Sequence, residues 1–483
     1  MSDEGFHVED DHPPQEPRTI DAIKFTEDAQ AKAFVDSWVG DMKYVAENDQ
    51  WYFFNGVFWE QVNKLKVIES ARQLNRSTAH LMNNKEQKKK QQLSSRRFSQ
   101  QVEAYARGDK RCLLALEELD KDPMLLGTPD GIIDLCTGQY ITMGLKPYVT
   151  MTTAVPPAVA ANEQSCPLFL QFMDEFTCGD PALKRFLLQY AGYCLTGDMR
   201  EQCLIFLYGD GDNGKSVFIS LLRWLLKDYA MNAAVDLFVT TSVGKHATGF
   251  ADLHRRRCVI ANETQEGQTL RMDKIKQITG QDAMRANYMR RDNFEFLPVC
   301  KLVMFGNHKP NLPDVGKAVR KRIRMVPCNL RLAEGQMDRD LFAKLQKEGA
   351  GILRALIVGC RDWQANGLVV PHCVDEQTDR YFYNQDHFGQ WFEESCEEDR
   401  KFKVTSAAVW QSWVDWTDQK KSKTGTEAEL TDRLEARGFE RLDHVPLPDG
   451  RRPRGWKGFR LRVGQTEMRG LGPEPPPHTE YPK

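Results

Sequence analysis

Paired cysteines are absent from this 483-residue chain: its twelve cysteines are scattered, and no two lie closer than Cys194 and Cys203. Zinc modules and thiol redox centres need C-x-x-C-type pairs, so neither is expected. Thiols dispersed among apolar neighbours suit a reducing compartment. The start, Met1-Ser2-Asp3-Glu4-Gly5-Phe6, is acidic and lacks an apolar segment, so no secretory leader is expected. No apolar run approaches the length of a membrane span, which points to a soluble, cytoplasmic chain without a membrane partner. Net charge is also lacking, because 66 basic residues nearly balance 68 acidic ones. That balance excludes neither nucleic acid nor protein as a partner; the local distribution of charge decides.

The length predicts two to four domains. Residues 1–24 are acidic, contain Pro13, Pro14 and Pro17, and read as disordered. Residues 25–150 form a first domain. It contains two aromatic strands around Asn55-Gly56, a two-residue hairpin signal. It also holds a very polar run from Asn83 to Arg97, with Lys88, Lys89 and Lys90. That run reads first as a solvated loop and second as a nucleic-acid contact. The turn and strand Pro129–Leu135 close this domain, and Ala154–Ala161 reads as a linker. Residues 165–200 are helical. Residues 201–330 carry apolar strands at Leu204–Leu207, Ala233–Val235, Cys258–Ala261, Leu302–Phe305 and Ile323–Val326, which predict a parallel five-stranded α/β sheet. Residues 331–384 are helical again. Residues 385–463 give three helices and a basic two-stranded end, and the proline-rich tail 464–483 reads as disordered.

The most informative segment is Gly209-Asp210-Gly211-Asp212-Asn213-Gly214-Lys215-Ser216, which fits GxxxxGK(S/T) between a buried strand and a helical pattern. Strand, glycine loop and helix start make an anion site, in which amides cradle phosphates and the helix N-terminus favours negative charge. Lys215 would reach the β- and γ-phosphates, and the Ser216 hydroxyl would hold Mg²⁺. ATP and Mg²⁺ are therefore the expected cofactors.

Three further elements separate a motor from other nucleotide proteins. Arg257–Glu263 is a buried strand ending in one carboxylate, Glu263, suited to orienting the metal or the attacking water. Lys301–Asn307 is another, ending in Asn307, whose amide suits the γ-phosphate. Lys317–Arg324 holds five basic residues and no acid. Arg320, Lys321 and Arg322 are there the candidates for a cation delivered across a subunit interface. Between the acidic and Asn strands, residues 274–296 read as a helix, a Thr-Gly break and a hairpin with Arg290-Arg291 near its tip. Lys274, Lys276, Arg285, Arg290 and Arg291 are candidate contacts to single-stranded DNA. Near the end, Glu427–Arg437 reads as a recognition helix, and Pro448-Asp449-Gly450 turns a wing carrying Arg451, Arg452, Arg454, Lys457, Arg460 and Arg462. Duplex binding and protein docking both fit such a wing.

The motif order GDGDNGKS, RCVIANETQEG, IKQITGQDAMRANYMRRDNFEF, KLVMFGNHKP and AVRKRIRMVP resembles the superfamily 3 helicases of the phage/plasmid primase–helicase type, related to poxvirus primase-helicases. The resemblance is strong over about residues 165–330. Residues 25–150 resemble the helicase-associated domain of that family, and residues 385–463 its C-terminal winged helix. It implies a multidomain α/β protein with an AAA+ core, in which Gly209, Gly214, Lys215 and Ser216 form Walker A. Glu263 is then the Walker B acid, Asn307 sensor 1, and the Arg290 region the DNA-gripping hairpin. The family usually has Arg-Arg where this chain has Lys321-Arg322; of the three candidate fingers, Arg322 is favoured because guanidinium is the better bidentate donor.

The implied function is ATP-driven DNA unwinding in phage, prophage or plasmid replication, by translocation on single-stranded DNA, with single-stranded and forked DNA as partners. The resemblance further implies a homo-hexameric ring in the host cytoplasm. Many members of that family also carry a primase domain, but the first 150 residues are too short for one beside the associated domain and hold no zinc ribbon, so primase activity is expected on another chain. A duplex-translocating or packaging ATPase, and an origin-binding initiator with a regulatory nucleotide site, are the alternatives.

Overall fold

The structure is a computed structural model that describes residues 25–142, 144–159, 165–211, 213–240, 248–262, 267–287, 293–331 and 337–462. The chain divides into two compact units, Met1–Pro310 with Lys321–Asp375, and Asn311–Arg320 with Glu376–Lys483.

The first unit begins with α1 (Glu27–Ser37), the antiparallel strands β1 (Met42–Val45), β2 (Gln50–Phe54) and β3 (Trp59–Val62), then α2 (Lys64–Leu81), α3 (Gln87–Leu93) and α4 (Arg96–Arg107). Phe34, Trp51, Val67, Phe98 and Val102 pack together between them. A carboxylate is built into this core: Trp51 Nε1 donates to buried Glu103 at 2.8 Å, and the Arg107 guanidinium grips the same carboxylate. The hairpin differs from the two-residue turn expected at Asn55-Gly56. Phe54 pairs with Trp59, leaving four residues in the connection. The Asn55 side chain explains this, since its Oδ1 accepts from the amides of both Val57 and Phe58 and so organises a longer loop.

The polar run 83–97 is also corrected, because it is helical rather than a loop. It contains no Gly or Pro, and Lys and Gln are good helix formers. Leu93 and Phe98 give it buried anchors, and Ser95 caps α4 by accepting from the Phe98 amide. Strands β4 (Leu125–Thr128), β5 (Gly131–Asp134) and β6 (Gln139–Tyr140) complete this part.

Next come α5 (Pro167–Phe176), α6 (Pro181–Tyr193), β7 (Leu204–Tyr208), α7 (Lys215–Leu226), β8 (Ala230–Ala233), α8 (Thr248–Ala251), β9 (Cys258–Asn262) and α9 (Met272–Thr279). The hairpin β10 (Met284–Asn287) and β11 (Asn293–Phe296), then β12 (Lys301–Gly306), follow. After α10 (Lys317–Arg320), which belongs to the second unit, the chain enters β13 (Ile323–Pro327), then α11 (Leu341–Lys347), α12 (Gly349–Asn366) and α13 (His372–Gln385), which passes into the second unit at Glu376. Five strands form one sheet in the order β13-β7-β12-β9-β8, and every pairing in it is parallel. Its central strands are apolar along their length because both faces are covered. Strand β8 lies three residues before its expected position. It is an edge strand with Asn232 exposed and Met231 half-exposed, a mixed pattern that a search for apolar runs passes over.

Two buried cations brace the amino-terminal edge of this sheet, where Lys301 stands opposite Cys258. Arg257 donates to the carbonyls of Leu195 and Leu125 and lies 4.5 Å from the Tyr229 ring centroid. Lys301 donates to the carbonyls of Thr196 and Asp198 and sits 4.6 Å over Tyr193. The acceptors at 195 and 196 follow the end of α6, where a helix carries partial negative charge, so the cations have an electrostatic reason to be there. Burial holds the Lys301 ammonium down to about 8. The Tyr229 hydroxyl accepts from Gly127 N and donates to Met151 O, tying β4 to the sheet.

In the second unit, α14 (His387–Ser395), α15 (Ser406–Gln419) and α16 (Glu427–Ala436) pack on β14 (Cys396–Thr405), β15 (Glu440–Leu442) and β16 (Gly455–Leu461). Trp391, Trp413, Trp416, Trp456 and Phe459 form its core. The end is three-stranded, in the antiparallel order β14-β16-β15, where two strands were expected. Strand β14 was hidden by its charge: Glu397, Glu398, Asp399, Arg400 and Lys401 all lie exposed along it. Helix α16 has a capping box between Thr426 and Glu429.

Candidate nucleotide site

The phosphate loop leaves the carboxyl end of β7 between the ends of β12 and β13. Tyr208 is in register with Gly306 on one side and Pro327 on the other. Asn307 therefore leaves the sheet beside Gly209, each one residue beyond a paired position, and Asn307 is exposed. On the far side of β12, Asn262 stands opposite Phe305 at the end of β9. Glu263 is the next residue along the chain but lies outside the described residues, as does Asp212 of the loop.

Gly214 turns the loop into α7 with φ +81°, a conformation that favours glycine. A Cβ there would also stand 3.1 Å from the Phe176 ring and 3.3 Å from Phe172, the two stacked aromatics of α5. Two residues later, Ser216 is exposed in the first turn of the helix. Asn213 is buried and works as a brace: its amide nitrogen donates to Asp210 O at 2.6 Å and Cys328 O at 3.0 Å. Its Oδ1 accepts from Lys215 Nζ at 2.9 Å, and the same ammonium donates to Gly209 O at 2.6 Å. Burial holds the Lys215 ammonium below the usual lysine range, against the opposing pull of Cys328 and Asp210. The Cys328 thiol is itself pushed up to about 12 by burial, so it stays neutral beside the ammonium. The loop thus presents a partly desolvated cation held by neutral acceptors that an anion can outcompete.

Sequence reasoning located this loop but missed its supports. Phe172 and Phe176 read only as core positions, and Cys328 carried no signal, because a backbone carbonyl has none. Lys309, whose ammonium lies 3.7 Å over the ring of Tyr208, was likewise missed.

The remaining candidates are distributed as follows. Arg320 belongs to the second unit, where it pairs with Asp379. Lys321 is exposed, and Arg322 is half-buried, its guanidinium 3.8 Å from a Cβ built on Gly280. Lys274 is half-buried against Phe250 and donates to Gln277; Lys276 lies half-buried on α9 and Arg285 exposed on β10. Arg290 and Arg291 fall outside the described residues. His254 packs edge-on against Phe294 and Phe296 of β11, and burial lowers its imidazole pKa.

The C-terminal cations are mostly engaged. Arg451 pairs with Asp449, Lys457 with Glu440 and Arg460 with Glu397, while Arg462 donates to Cys396 O. Arg452 and Arg454 make no ion pair among the described residues. No described helix is long and apolar enough to cross a membrane.

A glycine loop at the carboxyl edge of a five-stranded parallel sheet, closing into a helix with Lys at its start, defines an α/β core of the phosphate-loop class. Residues 31–178 match a family model described as "D5 N terminal like", and residues 207–322 match a "Family of unknown function (DUF5906)". The chain is 25% identical over 261 residues to "Putative helicase 022R" of Frog virus 3 (isolate Goorha), covering 49% of this chain and 26% of that one. It is 21% identical over 289 residues to "Putative helicase L207/L206" of Acanthamoeba polyphaga mimivirus, covering 55% and 30%. "Putative helicase 184R" of Invertebrate iridescent virus 6 is 21% identical over 343 residues, covering 63% and 35%. The chain thus spans about a quarter to a third of the length of these relatives. A solved structure described as the A-form apo structure of the NrS-1 C-terminal region aligns with TM-score 0.49 at 11% identity, over 89% of this chain and 98% of that one. The family models and the viral relatives fit the superfamily 3 primase–helicase type to which the motifs point.

Proposed function

We propose that the chain is an ATP-dependent DNA helicase motor that works on single-stranded and forked DNA as a homo-hexameric ring. The observation that carries this reading is the prepared ammonium of Lys215, seated on Gly209 O and Asn213 Oδ1 beside a left-handed Gly214. ATP phosphates replace those neutral acceptors, and the amides at the start of α7 add their donors. Ser216 and Glu263 are the residues that would hold Mg²⁺, which supplies charge neutralisation on the phosphates. A magnesium ion keeps waters and substrate oxygens as ligands, so one hydroxyl and one carboxylate suffice from the protein. Asn307 orients the attacking water at the adjacent strand end. Arg322, with Lys321 beside it, supplies the cation to the neighbouring subunit's nucleotide. The hairpin β10–β11 grips the single strand through Arg285, Arg290 and Arg291. Residues 385–463 act as a winged helix, and the ion pairs on its wing favour protein docking over duplex binding. A primase activity is the expected functional partner.

The test is Mg²⁺-dependent ATP hydrolysis and unwinding of a forked duplex by the wild type, Lys215→Ala and Glu263→Gln. Lys215→Ala should lose both activities, and Glu263→Gln should bind ATP yet turn it over slowly. Near-wild-type hydrolysis by Lys215→Ala overturns the assignment; DNA translocation without strand separation would identify a packaging motor instead.

A further inference from the structure

We infer that the face made by α3 and the start of α4 is a second DNA-binding surface, one that takes the phosphate backbone of duplex DNA. Residues 83–97 carry Lys85, Lys88, Lys89, Lys90, Arg96 and Arg97 against a single acid, Glu86. They are ordered on helices, with Lys85, Lys88, Arg96 and Arg97 exposed. Glu86 engages Lys89. Lys85, Lys88, Arg96 and Arg97 have no ionic partner among the described residues, and neither does exposed Arg76 on neighbouring α2.

Fold stability does not account for this arrangement. Arg96 and Arg97 occupy the first turn of α4, which holds no acidic residue. Cations there oppose the helix dipole. A surface serving only solubility would intersperse both signs. Cations held in one fixed frame without internal partners are instead what counterion-releasing contacts to a polyanion require.

The chemistry of the face selects duplex over single strand. Sequence-tolerant single-strand platforms stack bases on exposed aromatics. The aromatic that α4 carries next to these cations, Phe98, is buried, and the exposed aromatic of that helix, Tyr105, lies eight residues beyond Arg97, more than two turns away. A second possible occupant is written in the chain: Phe25, where the acidic residues 1–24 join the described structure, lies under Lys89 at 5.6 Å. The test must therefore separate the two.

The choice of DNA as partner rests on the proposed motor function. Binding of a labelled short duplex and a labelled single strand to the full chain, followed by anisotropy across a salt series, distinguishes the two ideas. The quadruple variant Lys85→Ala, Lys88→Ala, Arg96→Ala, Arg97→Ala should bind duplex at least tenfold more weakly. Its log-affinity against log-salt slope should be shallower by roughly 0.9 for each phosphate that it no longer neutralises, while basal ATPase stays unchanged. Wild-type protein that binds neither DNA sinks the motor function and this surface together. A variant with an unchanged duplex slope, or a loss confined to single strand, overturns this surface alone. So does a variant whose only change is a lowered melting temperature that disappears when residues 1–24 are deleted.

Discussion

Lys215 and the cations of the β15–β16 region are prepared for anions in opposite ways. Lys215 is one buried ammonium whose partners are neutral oxygens, Gly209 O and Asn213 Oδ1. The C-terminal unit has many exposed cations, and Arg451, Lys457 and Arg460 already hold carboxylates. A neutral acceptor yields to phosphate readily, because the charge is unspent; a cation that already holds a carboxylate only exchanges one anion for another, and in the exposed setting either contact is worth little. Counting cations along the chain favours the C-terminal unit as an anion site. What each cation is already holding favours Lys215.

The sharpest way to break that comparison is at the proposed subunit boundary. Arg322→Ala should lower ATP turnover by roughly 10³-fold or more. Mixed with equally inactive Lys215→Ala subunits it should recover partial turnover, since an intact loop then meets an intact cation. No recovery at any ratio moves the role to Lys321 or Arg320. A smaller effect follows at Gly214. Gly214→Ala forces a side chain into the left-handed region and against Phe172 and Phe176, a strain of about 1–2 kcal/mol. It should raise the KM for ATP while leaving DNA affinity intact; unchanged ATP binding would mean that α5 yields easily.

Lys301 offers a contrast within the buried cations. Its folded pKa, about 8, is depressed below the unfolded lysine value of about 10.4, so the unfolded chain binds the extra proton between those limits. Stability should rise with pH across that window, by up to about 1.4 kcal/mol per pH unit. Below about pH 8 both states are protonated, and the burial penalty is felt in full. Chemical denaturation of wild type and Lys301→Met at pH 7, 8, 9 and 10 checks this; the rise should vanish in the variant. The smallest effect belongs to the wing. Arg451→Ala with Lys457→Ala should change duplex affinity less than about twofold, in keeping with the small worth of exposed ion pairs. A loss of tenfold or more would return the wing to DNA binding.

The phosphate loop was legible because its chemistry is local: strand, glycines and lysine are contiguous, and the parallel strands around it are apolar on both faces. The bracing of that loop was not legible, since Asn213 reaches a backbone carbonyl at Cys328, more than a hundred residues away. Strand β14 escaped, and β8 was expected three residues late, for a related reason. Each is polar on its exposed side, so apolar periodicity under-reports it. The many charges of the run 83–97 suggest a loop, whereas the absence of Gly and Pro and the two anchors Leu93 and Phe98 make a helix available. Propensity read before charge finds it. The hairpin tip at Arg290-Arg291 and the acid Glu263 remain where their motifs put them in the chain, as proposals.

Strand β13 joins two tasks in one short rod. It starts at Ile323, immediately after Arg322, and its last residue hands the chain to Cys328, whose carbonyl receives Asn213 of the loop. A bound phosphate that draws Lys215 away from Asn213 would free the side chain that also holds this carbonyl, five residues along the strand from Ile323. In the proposed ring, one end of β13 would lie beside the subunit's own nucleotide while the other would carry the cations offered to the next. Occupancy of one site would then have a short path to its neighbour, a single strand with no dedicated hinge.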